Sequence, residues 1–453
     1  MDLYELIARE IVLPLSARRE NSKYLLHLDE LEASQYKNPS DVESYQWECI
    51  GKLLRHAYSN CHYYKKKFEA LDIHPADIRD HSDFARIPIL SRQDIILNLN
   101  DLVAQNYHKD KLIPGITSGS TGEPLRFYYD FEAQQFRRAC IVRNNRWAGW
   151  ELGRKMFSIY GDTPFHKENL KSKLWNLLVS RNNNLNSLKL TESSMLDFYK
   201  KVRREKTPFI YGHAHNLYIF ARFLKNRKID NLQACGIISG GMNLNEWERR
   251  EIEDVFNCKV LNRYGCEELS LIASECPHQE GLHLNTDLHY VEIIKKCDDD
   301  EFGSLVITDL KNYAMPLIRY RVGDVGAFSN RNCSCGRSQP LMERIMGRES
   351  EFVITPENKL VSGISLTDNF GCMIDGIKQL QIIQNEKNHL LFRIVRTDIF
   401  SEESFKKIDE LVRKYFGNQM KFDCDFLDNI PADGSGKYRF IISRLSKDYF
   451  NYI

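Results

Sequence analysis

Short β-rich runs alternate with longer amphipathic stretches in the middle of this chain, and few folds accommodate such an alternation. The β-rich runs are Met156 to Tyr160, Phe209 to Tyr211 and Gly236 to Ile238, and the stretch from Asn216 to Asn226 has helical periodicity. Strands that alternate with helices form a largely parallel sheet with helices covering it. The sequence therefore predicts an α/β core, preceded by a mainly helical region over residues 1–110.

Toward the C-terminus the predicted strands come closer together. The runs His289 to Ile294, Ser304 to Thr308 and Gly326 to Ser329 indicate an antiparallel or barrel-like subregion. A boundary near residue 348 then precedes a compact α+β unit. Its predicted elements are strands at Lys378 to Gln384, Leu390 to Arg396 and Lys421 to Leu427, and a helix at Glu402 to Phe416. We expect two domains, 1–348 and 349–453.

Length and charge exclude several classes of protein. The chain has 453 residues, which favours more than one domain, and 63 Lys and Arg against 62 Asp and Glu give a net charge of +1. Near-neutrality gives no electrostatic reason to expect a nucleic acid or an anionic membrane as partner. No stretch approaches the roughly 20 apolar residues of a membrane-spanning helix. We therefore expect a cytoplasmic protein whose cysteines are thiols or metal ligands.

The segment Thr117 to Pro124, with the sequence TSGSTGEP, is the strongest local signal. Two glycines free the backbone to curl, and hydroxyls with exposed N–H groups can then surround phosphate oxygens. The segment lacks the lysine of a Walker P-loop, so it is not one. By composition alone, an ordinary Ser/Gly turn is an equal alternative.

Five further motifs follow in the chain. They are Ser239 to Leu244 (SGGMNL), Tyr264 to Glu268 (YGCEE), Tyr320 to Asp324 (YRVGD), Gly347 to Glu351 (GRESE) and Pro431 to Lys437 (PADGSGK). Together with Thr117 to Pro124, these motifs resemble, in order, the signatures of the adenylate-forming superfamily. Within it the chain is most similar to the phenylacetate–CoA ligase branch, which includes CapK-type capsular-polysaccharide proteins. The stretches Leu53 to Asp94 and Gly281 to Asp287 also resemble that branch.

The resemblance implies an enzyme with a large N-terminal α/β region and a small mobile C-terminal α+β domain. It implies these nucleotide-binding residues: Thr117, Ser118, Gly119, Ser120, Thr121, Gly122, Gly240, Gly241, Tyr264, Gly265, Asp324 and Arg348. Asp324 would hold the ribose and Arg348 phosphate or ribose, although Asp324 could also be an ordinary turn residue. Lys437 would bridge the carboxylate and the α-phosphate, and Glu268 would hold Mg²⁺. Family hinges commonly carry Asp-Asp where this chain has Ser350-Glu351.

A zinc site is a separate expectation. Cys333 and Cys335 lie in a loop rich in Gly, Asn and Arg, and cysteine and histidine are the natural ligands of structural zinc. The spacing alone is modest evidence, because a Cys-x-Cys pair is tighter than the usual Cys-x₂-Cys. Many members of the resembling branch carry a Cys/His/Cys/Cys site that Cys276, His283, Cys333 and Cys335 match. His278 is the alternative to His283 as the imidazole ligand.

The expected function is ATP-dependent activation of a carboxylic acid as an acyl-AMP, followed by transfer to a thiol. By resemblance the thiol is coenzyme A. Two alternatives stay open: transfer to a sugar amine or hydroxyl in surface polysaccharide synthesis, and a catalytically silent nucleotide-binding relative. The sequence identifies neither the acid nor the acceptor. It is compatible with a homodimer but does not fix the oligomeric state.

Overall fold

The computed structural model describes residues 3–117, 125–161, 175–187, 190–229, 232–297, 300–362, 374–431 and 440–450. Short 3-10 or π turns occupy, among others, residues 8–12, 176–180 and 349–351. The α-helices are α1 (Leu3–Ile7), α2 (Leu13–Arg19), α3 (Tyr24–Ser34), α4 (Pro39–Asn60), α5 (His62–Ala70), α6 (His81–Ala85), α7 (Arg92–Leu97), α8 (Leu99–Leu102), α9 (Phe131–Trp147), α10 (Glu192–Val202), α11 (Ala214–Asn226), α12 (Glu246–Phe256), α13 (Glu402–Phe416) and α14 (Leu445–Phe450).

The strands form one large sheet and several small ones. They are β1 (Ile113–Thr117), β2 (Leu125–Tyr129), β3 (Met156–Tyr160), β4 (Asn182–Asn186), β5 (Phe209–Gly212), β6 (Gly236–Gly240), β7 (Val260–Cys266), β8 (Ser270–Glu275), β9 (Leu282–Leu284), β10 (His289–Ile294), β11 (Gly303–Asp309), β12 (Tyr320–Phe328), β13 (Leu341–Arg348), β14 (Phe352–Ile354), β15 (Leu360–Ser362), β16 (Ile377–Glu386), β17 (His389–Arg396), β18 (Lys421–Phe426) and β19 (Ile441–Ser443).

The large sheet has a parallel half and an antiparallel half. Its described strand order is β10-β11-β12-β13-β9-β8-β7-β6-β5-β3-β4. The pairs from β4 through β3, β5 and β6 to β7 are parallel, and every pair from β7 to β10 is antiparallel. The predicted covered parallel sheet is therefore confirmed, and of the two forms predicted for residues 289–328 the antiparallel one is found.

Helices cover both faces of the parallel half. On one face α9 packs through Cys140 against Ile238 and Leu261, in a core that also takes residues of α2 and α3. On the other face α10, α11 and α12 pack against Ile210 and Ile237. Three of these strands, β3, β5 and β6, are short apolar runs because both of their faces are buried, which is why they stand out in the sequence as β-rich runs between amphipathic stretches.

The N-terminal helices and the antiparallel half share a third core. Leu53, Leu54 and Ala57 of α4 are buried there with Ile307 and Tyr320 of the sheet. Ser91 caps α7 through a capping box with Asp94. Among the described residues, no helix combines the length and apolar character that crossing a bilayer requires.

A separate small sheet, with the order β18-β17-β16-β19, packs with α13 near the C-terminus. Ser401 forms a capping box at the start of α13 and Gly417 ends it with a φ of 89°. The apolar positions Ile408, Leu411 and Val412 are buried against the sheet. The predicted strand–strand–helix–strand order is confirmed. The domain boundary at residue 348 stays a proposal.

Candidate active site and metal centre

The predicted site residues gather where strands of the large sheet end. Gly240 is the last residue of β6, and Tyr264 lies two residues before the end of the neighbouring strand β7. Parallel α/β sheets bind ligands outside the carboxyl ends of their strands. The geometry therefore brings the SGGMNL and YGCEE motifs to the edge at which the fold class binds ligands.

The Gly240–Gly241 turn has little room for side chains. Gly241 has a φ of 77°, and a Cβ there would lie 2.8 Å from Cε1 of His213. The carbonyl oxygen of Gly240 lies 2.8 Å from His213 Nδ1 and 3.3 Å from the Tyr160 hydroxyl oxygen. Glycine is required at 241, because both the left-handed backbone and the close imidazole exclude a side chain.

Three residues predicted from separate motifs meet in space. The Tyr264 hydroxyl donates to Asp324 Oδ2 at 2.7 Å, and Arg348 Nε lies 3.0 Å from Asp324 Oδ1. Burial, with the Asp324 charge adding to it, raises the pKa of Tyr264 well above its usual value, so the phenol stays protonated and donates. The Asp324 carboxylate raises the pKa of Arg348. A buried aspartate is thus fixed by a neutral donor and a cation.

The neighbouring residue Gly265 allows two strands to approach. A Cβ on Gly265 would lie 2.2 Å from the carbonyl oxygen of Ser270 on β8. The β7–β8 register also shifts between Tyr264 and Gly265. The glycine therefore shapes the tight turn that carries the next acidic residue.

Glu268 lies in that turn and is 6% exposed. The Tyr320 hydroxyl donates to Glu268 Oε1 at 3.0 Å. Arg137 of α9 donates through Nη2 to the Glu268 carbonyl oxygen at 2.6 Å and to Asp309 Oδ2 at 3.0 Å. Both the side chain and the backbone of Glu268 are therefore held from distant elements.

The phosphate-loop motif is described at its edges. Thr117 pairs with Leu125 across the β1–β2 hairpin, and Arg92 Nη1 donates to Thr117 Oγ1 at 3.3 Å. The predicted residues Ser118, Gly119, Ser120, Thr121 and Gly122 lie outside the described residues, as does Lys437. Their roles remain predictions.

The four predicted metal ligands come from separate positions in the sequence and meet in one largely buried group. The ligand atoms of Cys276, His283, Cys333 and Cys335 all lie within 4.8 Å of one another. Cys276 Sγ is 3.6 Å from Cys333 Sγ, and Cys335 Sγ is 3.4 Å from His283 Nε2. Burial lowers the pKa of His283 to about 4, so its imidazole is neutral and able to ligate.

This geometry fits a tetrahedral ion. Zinc–sulfur bonds of about 2.3 Å and zinc–nitrogen bonds of about 2.0–2.1 Å place tetrahedral ligand atoms about 3.5–3.8 Å apart. The separation of Cys276 and Cys333 is far too long for a disulfide, whose S–S bond is about 2.05 Å. His278, the alternative imidazole, instead has Nδ1 2.6 Å from Ser334 Oγ. The geometry favours His283 over His278.

Sequence reasoning missed Arg137 and His213. Arg137 acts on Glu268 across 131 positions of the chain, and His213 acts on Gly240 across 27. Neither lies in a motif, so only the packing of α9 and of the β5–α11 turn on the sheet reveals them. One sequence signal could have drawn attention to Arg137: it is a charged residue on a helix face that is otherwise buried.

The chain is similar to CapK and to phenylacetate–coenzyme A ligases. Residues 353–444 match the CapK C-terminal domain. The protein CapK of Staphylococcus aureus is 24% identical over 365 residues, which are 80% of each chain. The phenylacetate–coenzyme A ligase of Escherichia coli (strain K12) is 25% identical over 343 residues, covering 69% of this chain and 72% of the ligase.

Solved structures establish the fold. A 2-hydroxyisobutyryl-CoA ligase in its postadenylation state aligns with a TM-score of 0.70 at 16% identity over 92% of both chains. ATP-bound MatB from Rhodopseudomonas palustris aligns with a TM-score of 0.51 at 16% identity, over 77% of this chain and 70% of MatB. The predicted architecture, a large N-terminal α/β region and a smaller C-terminal domain, is confirmed.

Proposed function

This chain has the fold of the adenylate-forming enzymes and a CapK C-terminal domain, and we propose that it is an AMP-forming acid–thiol ligase. In the first step a carboxylate oxygen attacks the α-phosphorus of ATP, the bond to the β-phosphate breaks, and pyrophosphate leaves. In the second step a thiol sulfur attacks the acyl carbon and AMP leaves. The homologous phenylacetate–coenzyme A ligases support coenzyme A as the thiol.

The observation that carries the proposal is the convergence of Tyr264, Asp324 and Arg348. A buried carboxylate beside a strand end accepts hydrogen bonds from a ribose diol, and an adjacent guanidinium favours phosphate. A purely structural ion pair is the alternative interpretation of this cluster. It would not account for the glycine pair 240–241 on the adjacent strand, where the positive φ of Gly241 excludes a side chain at the strand end.

The proposed chemistry assigns a task to each residue. Backbone N–H groups and hydroxyls of residues 117–122 would surround the phosphates, and Asp324 would orient the ribose. Lys437 would approach the α-phosphate as a point charge, where it offsets the negative charge of the attacking carboxylate. Arg137 fixes the backbone carbonyl of Glu268 and Tyr320 fixes its carboxylate, so the orientation of the carboxylate is set before a ligand binds.

Two metals would complete the site. Glu268 is a hard carboxylate ligand of the kind that Mg²⁺ prefers, and Mg²⁺ would supply charge neutralisation of the leaving pyrophosphate. Cys276, His283, Cys333 and Cys335 would hold a structural Zn²⁺ that ties two loops together. That Zn²⁺ site has no open position for a reactant, so its effect is on stability.

The acceptor is tested directly. Acid-dependent exchange of radiolabelled pyrophosphate into ATP, over a panel of carboxylic acids, reports the first step alone. Product analysis with coenzyme A, and separately with amino sugars, identifies the second step. We expect exchange with at least one acid and thioester formation with coenzyme A. Sugar acylation without thioester formation would support the acceptor that the CapK similarity raises.

A catalytically silent relative makes a different prediction. A silent nucleotide-binding relative would bind ATP in calorimetry but show no acid-dependent pyrophosphate exchange, and a scaffold would show neither. We expect both: the fixation of Asp324 by Tyr264 and Arg348 supports ATP binding, and exchange separates an enzyme from a silent relative.

A further inference from the structure

Arg263 is a buried cation beside the candidate nucleotide site. It precedes Tyr264 on β7 and pairs in register with Gly240 of β6. Side chains alternate along a strand, so Arg263 lies on the face opposite Tyr264, toward α9. It is 8% exposed, and its Nε and Nη2 are buried and make no hydrogen bond.

Other buried arginines of the described chain have carboxylate partners. Arg137 lies 3.0 Å from Asp309, Arg143 lies 2.8 Å from Asp287, and Arg319 lies 3.0 Å from Glu292. Arg263 forms no ion pair with any carboxylate among the described residues, and the titratable groups that raise its pKa are Tyr211, Cys140 and Tyr160. An unpaired buried charge is costly, so its retention indicates a partner that folding does not supply.

The surroundings of Arg263 are polar but uncharged. Burial lowers the pKa of Arg263 only to about 10, so the guanidinium stays charged at neutral pH. Burial raises the pKa of Tyr160 and raises that of Cys140 to about 11, so both remain neutral. The Tyr160 hydroxyl donates to the Tyr211 hydroxyl at 2.8 Å. The site therefore holds hydrogen-bonding hydroxyls and one positive charge; the Glu267 charge acts on Tyr160, but no carboxylate of the described residues pairs with Arg263.

Its position relates it to the acid rather than to the nucleotide. Tyr264, which touches Asp324, lies on the other face of β7, so Arg263 faces away from the proposed ribose site. A Cβ on Gly240 would lie 3.4 Å from the Tyr211 hydroxyl and 3.7 Å from Arg263 Cβ. Glycine at 240 therefore leaves the space beside the Tyr211 hydroxyl and Arg263 Cβ without a side chain from β6, at a strand end where Gly240 itself is buried.

We propose that Arg263 binds a second anionic group on the acid that this chain activates, with the Tyr211 hydroxyl, which accepts from Tyr160, as an additional hydrogen-bond donor. The substrate class is then acids with an extra negative charge, of which a dicarboxylate is the simplest. A guanidinium forms two parallel hydrogen bonds with such a carboxylate. The inference rests on the proposed acid activation and names its substrate class.

The first test compares dicarboxylates with their own half-esters. Succinate, glutarate, adipate and homophthalate are each assayed against the monomethyl ester in pyrophosphate exchange. The half-ester keeps the length and loses the second charge. We expect kcat/KM to favour a free diacid in the parent. Arg263→Met should lower that preference by about 30-fold or more, and Arg263→Lys should restore part of it.

The outcomes separate the inference from the proposed function. Absence of exchange with every acid counts against acid activation itself. A parent that uses half-esters as well as diacids, or an Arg263→Met protein with an unchanged preference, overturns the role of Arg263 and leaves acid activation standing. A rise in KM for ATP that is equal for all acids would assign Arg263 to the nucleotide and also overturn the inference.

The second test does not depend on activity. Without ligand, Arg263→Met should melt at the same or a higher temperature than the parent, because an apolar side chain replaces an unpaired charge. The matched control is Arg143→Met, which breaks the pair with Asp287 and should melt lower. Glutarate or homophthalate should raise the melting temperature of the parent and not of Arg263→Met. A large loss of stability in ligand-free Arg263→Met, or no shift of the parent with any diacid, would overturn the proposal.

Discussion

Asp324 is held in one orientation by partners from two other segments of the chain. Tyr264 fixes Oδ2 and Arg348 fixes Oδ1, so neither oxygen is free to rotate away. Such fixation orients the acceptor before a ligand arrives, which is how a site gains affinity without a new contact.

Asp324→Asn tests that orientation. The amide is nearly the same size but loses the charge that pairs with Arg348 and gives one acceptor where the carboxylate gives two. We expect KM for ATP to rise by about 10- to 100-fold, in line with loss of a hydrogen bond to a charged group. Tyr264→Phe, which removes only the supporting hydroxyl, should have a smaller effect. An unchanged KM for ATP in Asp324→Asn would remove Asp324 from the nucleotide site.

Lys437→Ala tests the proposed transition-state charge. A lysine that acts mainly in the transition state contributes little to ground-state binding, so ATP affinity should be nearly unchanged while acyl-AMP formation falls. The measurement is single-turnover acyl-AMP formation beside calorimetric ATP binding. Lys421→Ala, an exposed lysine of the same region, is the control. Parent-like acyl-AMP formation in Lys437→Ala would show that Lys437 is not the catalytic lysine.

Sequence reasoning works best where a feature is written in neighbouring residues. Gly241 stands in a glycine pair that resembles a known turn, and the structure gives it a positive φ of 77°, while its nucleotide role stays a prediction. Arg137 and Arg263 were invisible, because their roles depend on what packing places around a guanidinium: Glu268 and Asp309 around the first, hydroxyls around the second. An arginine in a sequence looks the same whether its charge is paired or not.

At the scale of elements, β3, β5 and β6 of the parallel half were located as β-rich runs between amphipathic stretches, whereas the polar β4 and β7 were not. The strand β12 was not, since the prediction began at Gly326 whereas the strand begins at Tyr320. Its first half carries Arg321, Gly323 and Asp324, which break the apolar pattern, and bulges shift its register near residues 325–328. The polar residues proposed for the site therefore obscured the β pattern of the strand in which they lie.

The proposed zinc joins two segments of the antiparallel half. Purified protein should contain about one zinc per chain. Changing Cys333 and Cys335 together to Ser should release the zinc and lower the melting temperature by several degrees, because metal binding contributes directly to folding. Cys297→Ser, at an exposed thiol, is the matched control. Elemental analysis that finds no zinc in protein prepared without chelators would rule the site out.

On the scale of the whole molecule, the core with α13 and its sheet is separate from the three cores of the large sheet. The connection runs from the end of β13 at Arg348 through the 3-10 turn at residues 349–351 to β14. Arg321 Nε lies 2.9 Å from Glu349 Oε1, which anchors the start of this turn to β12. We propose residues 348–351 as a hinge.

The need for a hinge follows from the two proposed steps. Lys437 must approach the α-phosphate in a site that excludes water, since water would hydrolyse the acyl-AMP. The thiol must then reach the acyl carbon from a direction that the lysine loop would obstruct. One arrangement of the small C-terminal domain does not serve both steps, so a rotation near Arg348 is required.

Ser350→Pro tests this rotation. Proline fixes φ near −65°, a value that a 3-10 turn already uses, so the fold should be retained while rotation at residue 350 is restricted. We expect one half-reaction to slow far more than the other. The measurements are single-turnover acyl-AMP formation and, separately, transfer from preformed acyl-AMP, with Ser350→Ala as the control that keeps φ free. Parent-like rates of both steps in Ser350→Pro would place the rotation at another residue or show that the reaction proceeds without one.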